Sequence, residues 1–589
     1  RLLDEALALD AENTEALERR GAAAEERGAI QDAMADFTAR LRLGGEPLVL
    51  APLHLRLARL HASAGETGRA LTHLQSALAA DPSLGDALVL QARLHVESRN
   101  WAGAVEALRR LADRESDPAA LAGIHADLAK VLEEGTGDLE GAAAWLERTL
   151  GIAPEDVPTL EKLCRLYERA RNLPRLVATL ERCSAALVKG GEPARGATVL
   201  AKAGAIFAGP LRDPILAVQS YRQALDWSPD DGEIRTALAN VYASDPKFHE
   251  LALHEFRLVL ERGPPRAETF RALYRIWEHQ GSRDRAFVAA SALQFLQSAD
   301  QAEAAYHAQY HGLRPSLPSG AVRADELDRA LAAPAELGAL AGVAAAIAEP
   351  LAAAIGAKVD AGRDERLRPD HPIRRQLDRL LESLGLDPGV FQVYASARLP
   401  GADVAFGDGP VALVGRDFQS RYQRREQSFL LGRVAWMLRQ GSGFWVRFSP
   451  KPLADLLGAA VRVLEPGHLG LGSPDEEAVR RLGKALGRRG RKALEAPVAA
   501  LLADRSGTTA DDLIRCGRLS ADRAGLLFSG DLPASLGLLL RGNAADLRLD
   551  GSDEVAGAIE GRDDVADMLR FAVSEDHFRL RSGLRLGLG

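Results

Sequence analysis

A size-patterned triplet recurs along the first half of this 589-residue chain at an interval close to 34 residues: a small residue, a large one four on, and a smaller one three after that. It reads Ala33-Phe37-Arg40, Ala70-Leu74-Ala77, Ala104-Leu108-Leu111, Ala142-Leu146-Thr149, Leu176-Leu180-Cys183, Ala217-Tyr221-Ala224, Ala252-Phe256-Val259 and Ala286-Ala290-Leu293. A period of this length marks one supersecondary unit repeated, because a single unit cannot bury its apolar face and must stack on the next. Steps of three and four put each triplet on one helix face. Twelve residues before the triplet a second small residue (Gly21, Ala58, Ala92, Cys164, Ala205) lets a partner helix approach closely. Pro82, Pro154, Pro229 and Pro264, twelve residues after the triplet's first residue, close four of the units, since proline cannot continue a helix. Each unit is predicted to be a helix-turn-helix.

The pattern resembles the tetratricopeptide (TPR) repeat, in about eight copies over residues 1–300. The resemblance implies an α-solenoid, a right-handed superhelix whose concave face is lined by the first helix of each unit and binds extended peptides or helices. Arg40, Leu176 and Ala290 break the size pattern, and an insertion around Gly135 to Asp138 enlarges the fourth unit. The residue after the buried small position turns by about 100° toward the concave side, which places Arg59, Arg93, Lys130 and Arg165 there. One reading is a basic stripe that recognises an acidic or phosphorylated segment through guanidinium forks. The other is a solvated helix face, favoured locally at Arg165 by Glu161 and Glu168. The carboxylate clamp of chaperone-binding TPR proteins is not matched, so no chaperone tail is predicted. His61, His95, Tyr167 and Trp277 are expected to pack between helices. His307 and His311 share a helix face but lack a third metal ligand. Cys164 and Cys183 are expected as buried free thiols that face each other.

Hydrophobic residues at 47% and charged ones at 26% are the balance of a globular chain and exclude disorder as its main state. With 74 bases against 82 acids, the chain is not built to coat nucleic acid. Three cysteines make no disulfide framework, so a reducing compartment, the cytoplasm, is expected. Scarce lysine beside abundant arginine, with much Ala, Leu and Gly, is the composition of a high-GC bacterial genome. The chain opens mid-helix, without an initiator Met or a signal-type apolar core, and reads as an excerpt. Ala335–Ala357 is interrupted by Glu349 and Pro350, which predicts two short packed helices rather than a membrane span. The basic run Arg480–Leu494 has no interleaved aromatic residues and is expected to be a solvated helix face, with no nucleic-acid partner. Neither GDGPVALVGRD nor GHLGLGS has the strand and helix context of a nucleotide loop, and no cofactor is expected.

After Gly312–Glu326 the period stops. Residues 301–365 are expected to be a helical linker and 366–589 a smaller, mostly helical α+β domain: a helix from His371, a strand at Phe391–Ala397, a Gly-rich turn, a strand at Val411–Gly415, then helices to the end. The segments PGADVAFGDGPVALVGRDF, SFLLGRVAWML and RLSADRAGLLFSGD resemble, in that order, the edge strands, zinc helix and glutamate helix of the minigluzincin-like M48 zinc peptidases, over about residues 370–540. A zincin needs two neutral histidines at i and i+4, a glutamate beside the first, and a third protein ligand. Aligned on that motif, Phe429 and Arg433 stand at the histidines, Leu430 at the base and Arg518 at the third ligand. None of these side chains can bind zinc or act as the base. The resemblance therefore implies a degenerate zincin-like domain with no metal and no catalytic residue. Read without it, Ser520–Asp531 is an amphipathic helix with Ser520 as N-cap and Asp531 in the following turn. The expected function is a scaffold or adaptor whose repeat groove binds a protein partner and whose second domain is a pseudo-peptidase. The alternatives are a metal-dependent hydrolase with other ligands and a regulatory subunit of an envelope or motility machine.

Overall fold

The computed structural model describes residues 2–313, 317–351, 359–360, 364–407, 409–541 and 551–588. They are mostly helical, with one small sheet. The chain divides into two compact units, Arg1–Val241 and Tyr242–Gly589.

The first unit is a succession of helical hairpins. Thr14–Glu26 pairs with Ile30–Arg42, Pro47–Ser63 with Thr67–Ala80, Gly85–Glu97 with Trp101–Ala112, Pro118–Lys130 with Leu139–Ile152, Val157–Arg169 with Leu173–Lys189, and Pro193–Ala208 with Pro214–Trp227. Each triplet lies on the second helix of its hairpin, and the central residues Phe37, Leu74, Leu108, Leu146, Leu180 and Tyr221 are buried. A Cβ on Gly21 would stand 2.7 Å from the Phe37 ring. In the sixth hairpin the close-contact residue is Gly204, whose Cβ would stand 3.0 Å from the Tyr221 ring, and not the expected Ala205, which faces out and is exposed. Asn13, Asp117, Asp156 and Asp213 cap helix starts by accepting backbone N–H bonds. Arg40 is tolerated at a buried position because its guanidinium leaves the core, donating to Glu18 at 2.6 Å and to the Gly44 carbonyl at 2.9 Å. The insertion in the fourth unit is a π-helical turn, Val131–Thr136, continuing the first helix. It brings Gly135 against the Trp101 ring, where a Cβ would stand 2.5 Å away.

In the second unit the helix His249–Arg262 and the hairpin of Ala267–His279 with Arg283–Phe295 are joined by the C-terminal helix Glu575–Gly583. Arg285 forks onto Glu575 at 2.6 and 2.7 Å. Arg581 forks onto Asp284 at 2.7 and 2.5 Å, and the Phe578 ring meets Trp277 edge-on, centroids 5.5 Å apart. A solenoid end needs a cover for its last apolar face, and these contacts provide one.

The sheet has the order β1-β2-β4-β3, with β1 Glu365–Arg366, β2 Val393–Ser396, β3 Ala402–Phe406 and β4 Pro410–Gly415. β2 runs parallel to β4 and β3 antiparallel to it. The Gly-rich turn expected between two strands thus contains a strand of its own. Gly407 and Gly409 close the β3–β4 hairpin through a 2.8 Å backbone bond and leave Val404–Phe406 buried.

Three further expectations are corrected. The helix Ala339–Leu351 runs through Glu349 and Pro350, and the second helix expected after the proline falls on residues 352–358, outside the described ones. The basic run lies in Glu476–Ala503, which breaks at Gly487 (φ 60°, ψ −164°), so it forms two helical segments rather than one face. Ser520 is no N-cap: it sits buried within Ala510–Ser529, a helix started by Thr509 in a capping box with Asp512. That helix buries 15 of its 20 residues, so it is the central helix of the unit and not an amphipathic one at its surface. Among the described residues no helix is long and apolar enough to cross a membrane.

Candidate binding groove and the central helix pair

In the first unit, Arg59 and Arg93 line a cavity of about 410 Å³ together with Asp86, Val89 and Leu90. A second cavity of about 610 Å³ shares Val89 and Arg93 with it and reaches Lys130. The walls of this larger cavity include the helices Gly85–Glu97 and Pro118–Lys130, the first helices of consecutive repeats, and the π-helical insertion contributes Val131 and Glu134. Val96, Trp101, Leu111 and Ile124 make it apolar. Val89 is 54% and Val96 37% exposed, so these side chains are left uncovered among the described residues. Arg165 lines neither cavity.

The cations do not form a uniform positive stripe. Arg59 is paired with Asp86, and Arg93 Nε stands 3.2 Å from Glu97. Arg165 donates to the carbonyl of its own Glu161 at 3.3 Å. Lys130 is exposed and has no ion pair among the described residues, while Asp127 and Glu134 line the same cavity. Reading the sequence for charge missed the apolar part of the groove. The signal was there: Val89 and Val96 are spaced i, i+7, with Arg93 between them on the same face.

Of the four rings expected to pack between helices, His95 is only half-buried. His61, Tyr167 and Trp277 are buried, and His61 bonds Glu66 at 2.7 Å. His73, beside His54 and His61, is pushed down to about 4 by burial and by its two neighbours, and stays neutral. The His307 ring stacks on Phe287, and His311 Nε2 lies 2.9 Å from Asp531. Among the described residues no group of three or more ligand-type side chains is arranged to hold a metal. Burial pushes the Cys164 thiol up to about 12, with Cys183 adding to the effect.

In the second unit, Arg424–Gln440 packs along Ala510–Ser529. Two glycines permit the approach: a Cβ on Gly525 would stand 2.7 Å from the Phe429 ring, and one on Gly432 3.0 Å from the Ala524 carbonyl. Phe429 is fully buried in this seam, and Arg433 lies over its ring at 5.8 Å. Arg433 Nε stands 2.8 Å from Asp522 Oδ1. Burial pushes the Asp522 carboxyl up to about 6, against the pull of Arg433. Arg518 forks onto the Val446 carbonyl at 3.1 and 2.8 Å. The structure thus brings Phe429, Arg433 and Asp522 together and turns Arg518 to a neighbouring turn. The arrangement is an ion pair over an aromatic plug.

Residues 61–128 match the tetratricopeptide repeat family. Among solved structures the chain is similar to MamA (17% identity, 31% of this chain and 96% of that one, TM-score 0.25). It is also similar to YrrB, described as a TPR protein with an unusual peptide-binding site (19%, 37% and 96%, TM-score 0.23). A third is the C-terminal part of a TPR repeat-containing protein from Cytophaga hutchinsonii (14%, 40% and 92%, TM-score 0.26). No curated protein sequence matches the chain. The chain carries tetratricopeptide repeats, a fold whose extended surfaces bind other proteins.

Proposed function

We propose that this chain is a non-catalytic adaptor that captures a protein segment in the groove between its third and fourth repeats. The observation that carries the reading is the pair of exposed apolar side chains Val89 and Val96 at a cavity also lined by Trp101 and Ile124 and rimmed by Arg93 and Lys130. The segment that fits is one with an apolar side chain for the cavity and a carboxylate or phosphate for the rim. The second unit acts as a zincin-like scaffold without zinc. What supports this is that Phe429 and Arg433, which the resemblance aligns with the two zinc histidines, are respectively buried as packing and paired with Asp522.

Peptides selected by display on the full chain provide the test. Selected sequences are expected to share an apolar residue, and Val96→Asp to weaken them at least about tenfold. Reversing Arg93 and Lys130 to Glu is expected to weaken the acidic ones selectively. Affinities unmoved by either change would remove the groove from the proposal. Zinc retained in stoichiometric amount by the purified chain would overturn the non-catalytic reading of the second unit.

A further inference from the structure

A short stretch of backbone crosses the Ala510–Ser529 helix and sends a carboxyl group into the interior. Pro334–Leu337 forms one 3₁₀ turn, and Glu336 is only 4% exposed. Its Oε2 accepts from Trp436 Nε1 at 3.2 Å, while Oε1 has no hydrogen-bond partner among the described residues. Ser442 Oγ and Trp445 Nε1, also buried, are left without partners as well. Ser520 Oγ accepts the Ala333 N–H at 2.8 Å and donates to the Cys516 carbonyl at 2.9 Å. Among the described residues the charged group facing Glu336 is Arg523 on the crossed helix, and Arg523 also faces Cys516. Arg523 is already forked onto Asp567 of the helix Asp563–Ala572, at 2.8 and 2.5 Å. Trp436, Ser442 and Ser520 are the neutral groups around the carboxyl.

The stretch is anchored at both ends by buried residues, Leu331 and Leu340, and its own described contacts between them are small. Ala333 and Ala335 form a small apolar cluster with Cys516, and Leu337 is mostly exposed. Two methyl groups and one backbone hydrogen bond are weak against the cost of ionising a carboxyl buried in the interior. We infer that Ala333–Leu337 is a strap latched by the neutral Glu336 side chain, and that ionisation of this carboxyl opens the strap and bares Cys516.

Burial pushes Glu336 up to about 7 from an ordinary 4.5, with Ser520, Trp436, Ser442 and Arg523 opposing. The closed strap therefore binds the proton more tightly than the open one. Closure is strongest below about 4.5 and is lost as pH rises toward about 7. Over that window opening grows about tenfold per pH unit, about 300-fold in all, and then levels off.

The test uses the full chain with Cys164→Ser and Cys183→Ser, which leaves Cys516 as the sole thiol of the original three. Its labelling by 4,4′-dithiodipyridine is followed between about pH 5 and about pH 7.5 and compared with the same chain carrying Glu336→Gln. The thiolate fraction cancels in the ratio of the two rates. That ratio is expected to rise by about 50-fold over the interval; a ratio constant within about twofold overturns the latch. Hydrogen exchange at the Ala333 amide in the unsubstituted chain gives a readout that needs no variant. Protection that falls over the same window supports the latch, and protection that stays constant overturns it.

Discussion

Arg99, Arg171 and Arg212 occupy left-handed backbone positions in the turns of their hairpins, with φ of 56°, 53° and 53°. Gly28, Gly65 and Gly137 fill the equivalent turns elsewhere at no steric cost. An L side chain costs roughly 1–2 kcal/mol in this region, and glycine returns about half of that through the entropy of the unfolded chain. Arg171→Gly is therefore expected to stabilise the chain by up to about 1 kcal/mol in chemical denaturation; lower stability would show that the arginine side chain contributes more than its backbone costs. The small and large positions of the repeat were legible in the sequence because each reports a contact made within its own hairpin. The groove was only half legible. Arg59, Arg93 and Lys130 could be placed from the helix period, but their pairing with Asp86 and Glu97 depends on side-chain rotamers that no period encodes.

The pairing of Arg424–Gln440 with Ala510–Ser529 joins segments that are distant in sequence and makes a sharper claim. Its ion pair is more than a surface contact, because Asp522 is buried and Arg433 largely so. Asp522→Ala leaves the guanidinium against an apolar seam and is expected to cost about 3 kcal/mol. Replacing both partners, Arg433→Met with Asp522→Leu, is expected to be near neutral, because no charge is then stranded. A double-mutant cycle in urea checks both statements, and additive losses would mean that the pair is not coupled. The long helices of the second unit were readable from their apolar spacing. Strand β3 was not, since glycines flank it and its pairing to β4 is a contact between chain segments rather than a local preference.

The second unit as a whole carries opposing proton linkages. His577 is buried and pushed down to about 3, its Nδ1–H donating to the Ala572 carbonyl at 2.7 Å. The unfolded chain takes up a proton there below about 6.5 and the folded chain does not, so stability falls as pH drops through that range. Asp284 is raised by burial but held below its ordinary value by the Arg581 fork, and Glu575 is held low by Arg285. Both contribute stability at neutral pH that is lost in acid. Glu336 and Asp522 are raised and act in the opposite sense, relieving the unit as they become protonated below about 7 and about 6. The histidine is the separable term. His577→Gln is expected to shrink the loss of stability between about pH 6.5 and pH 4 by about 3 kcal/mol, measured as urea midpoints on the full chain; an unchanged loss would assign acid lability to the carboxylates. The sequence by itself determined the repeat hairpins, their turns and most of their small residues, since all of these follow from contacts within about one period. It also determined that Phe429, Leu430, Arg433 and Arg518 have no zinc-ligand chemistry, which is a matter of side-chain identity. Only the tertiary structure decided that Val89 and Val96 stay exposed, that Arg433 meets Asp522, that the C-terminal helix covers the last repeat hairpin, and that the Glu336 carboxyl is buried. Each of these is set by residues about 35 to 300 positions apart, and no local pattern reports what burial and charge do across such distances.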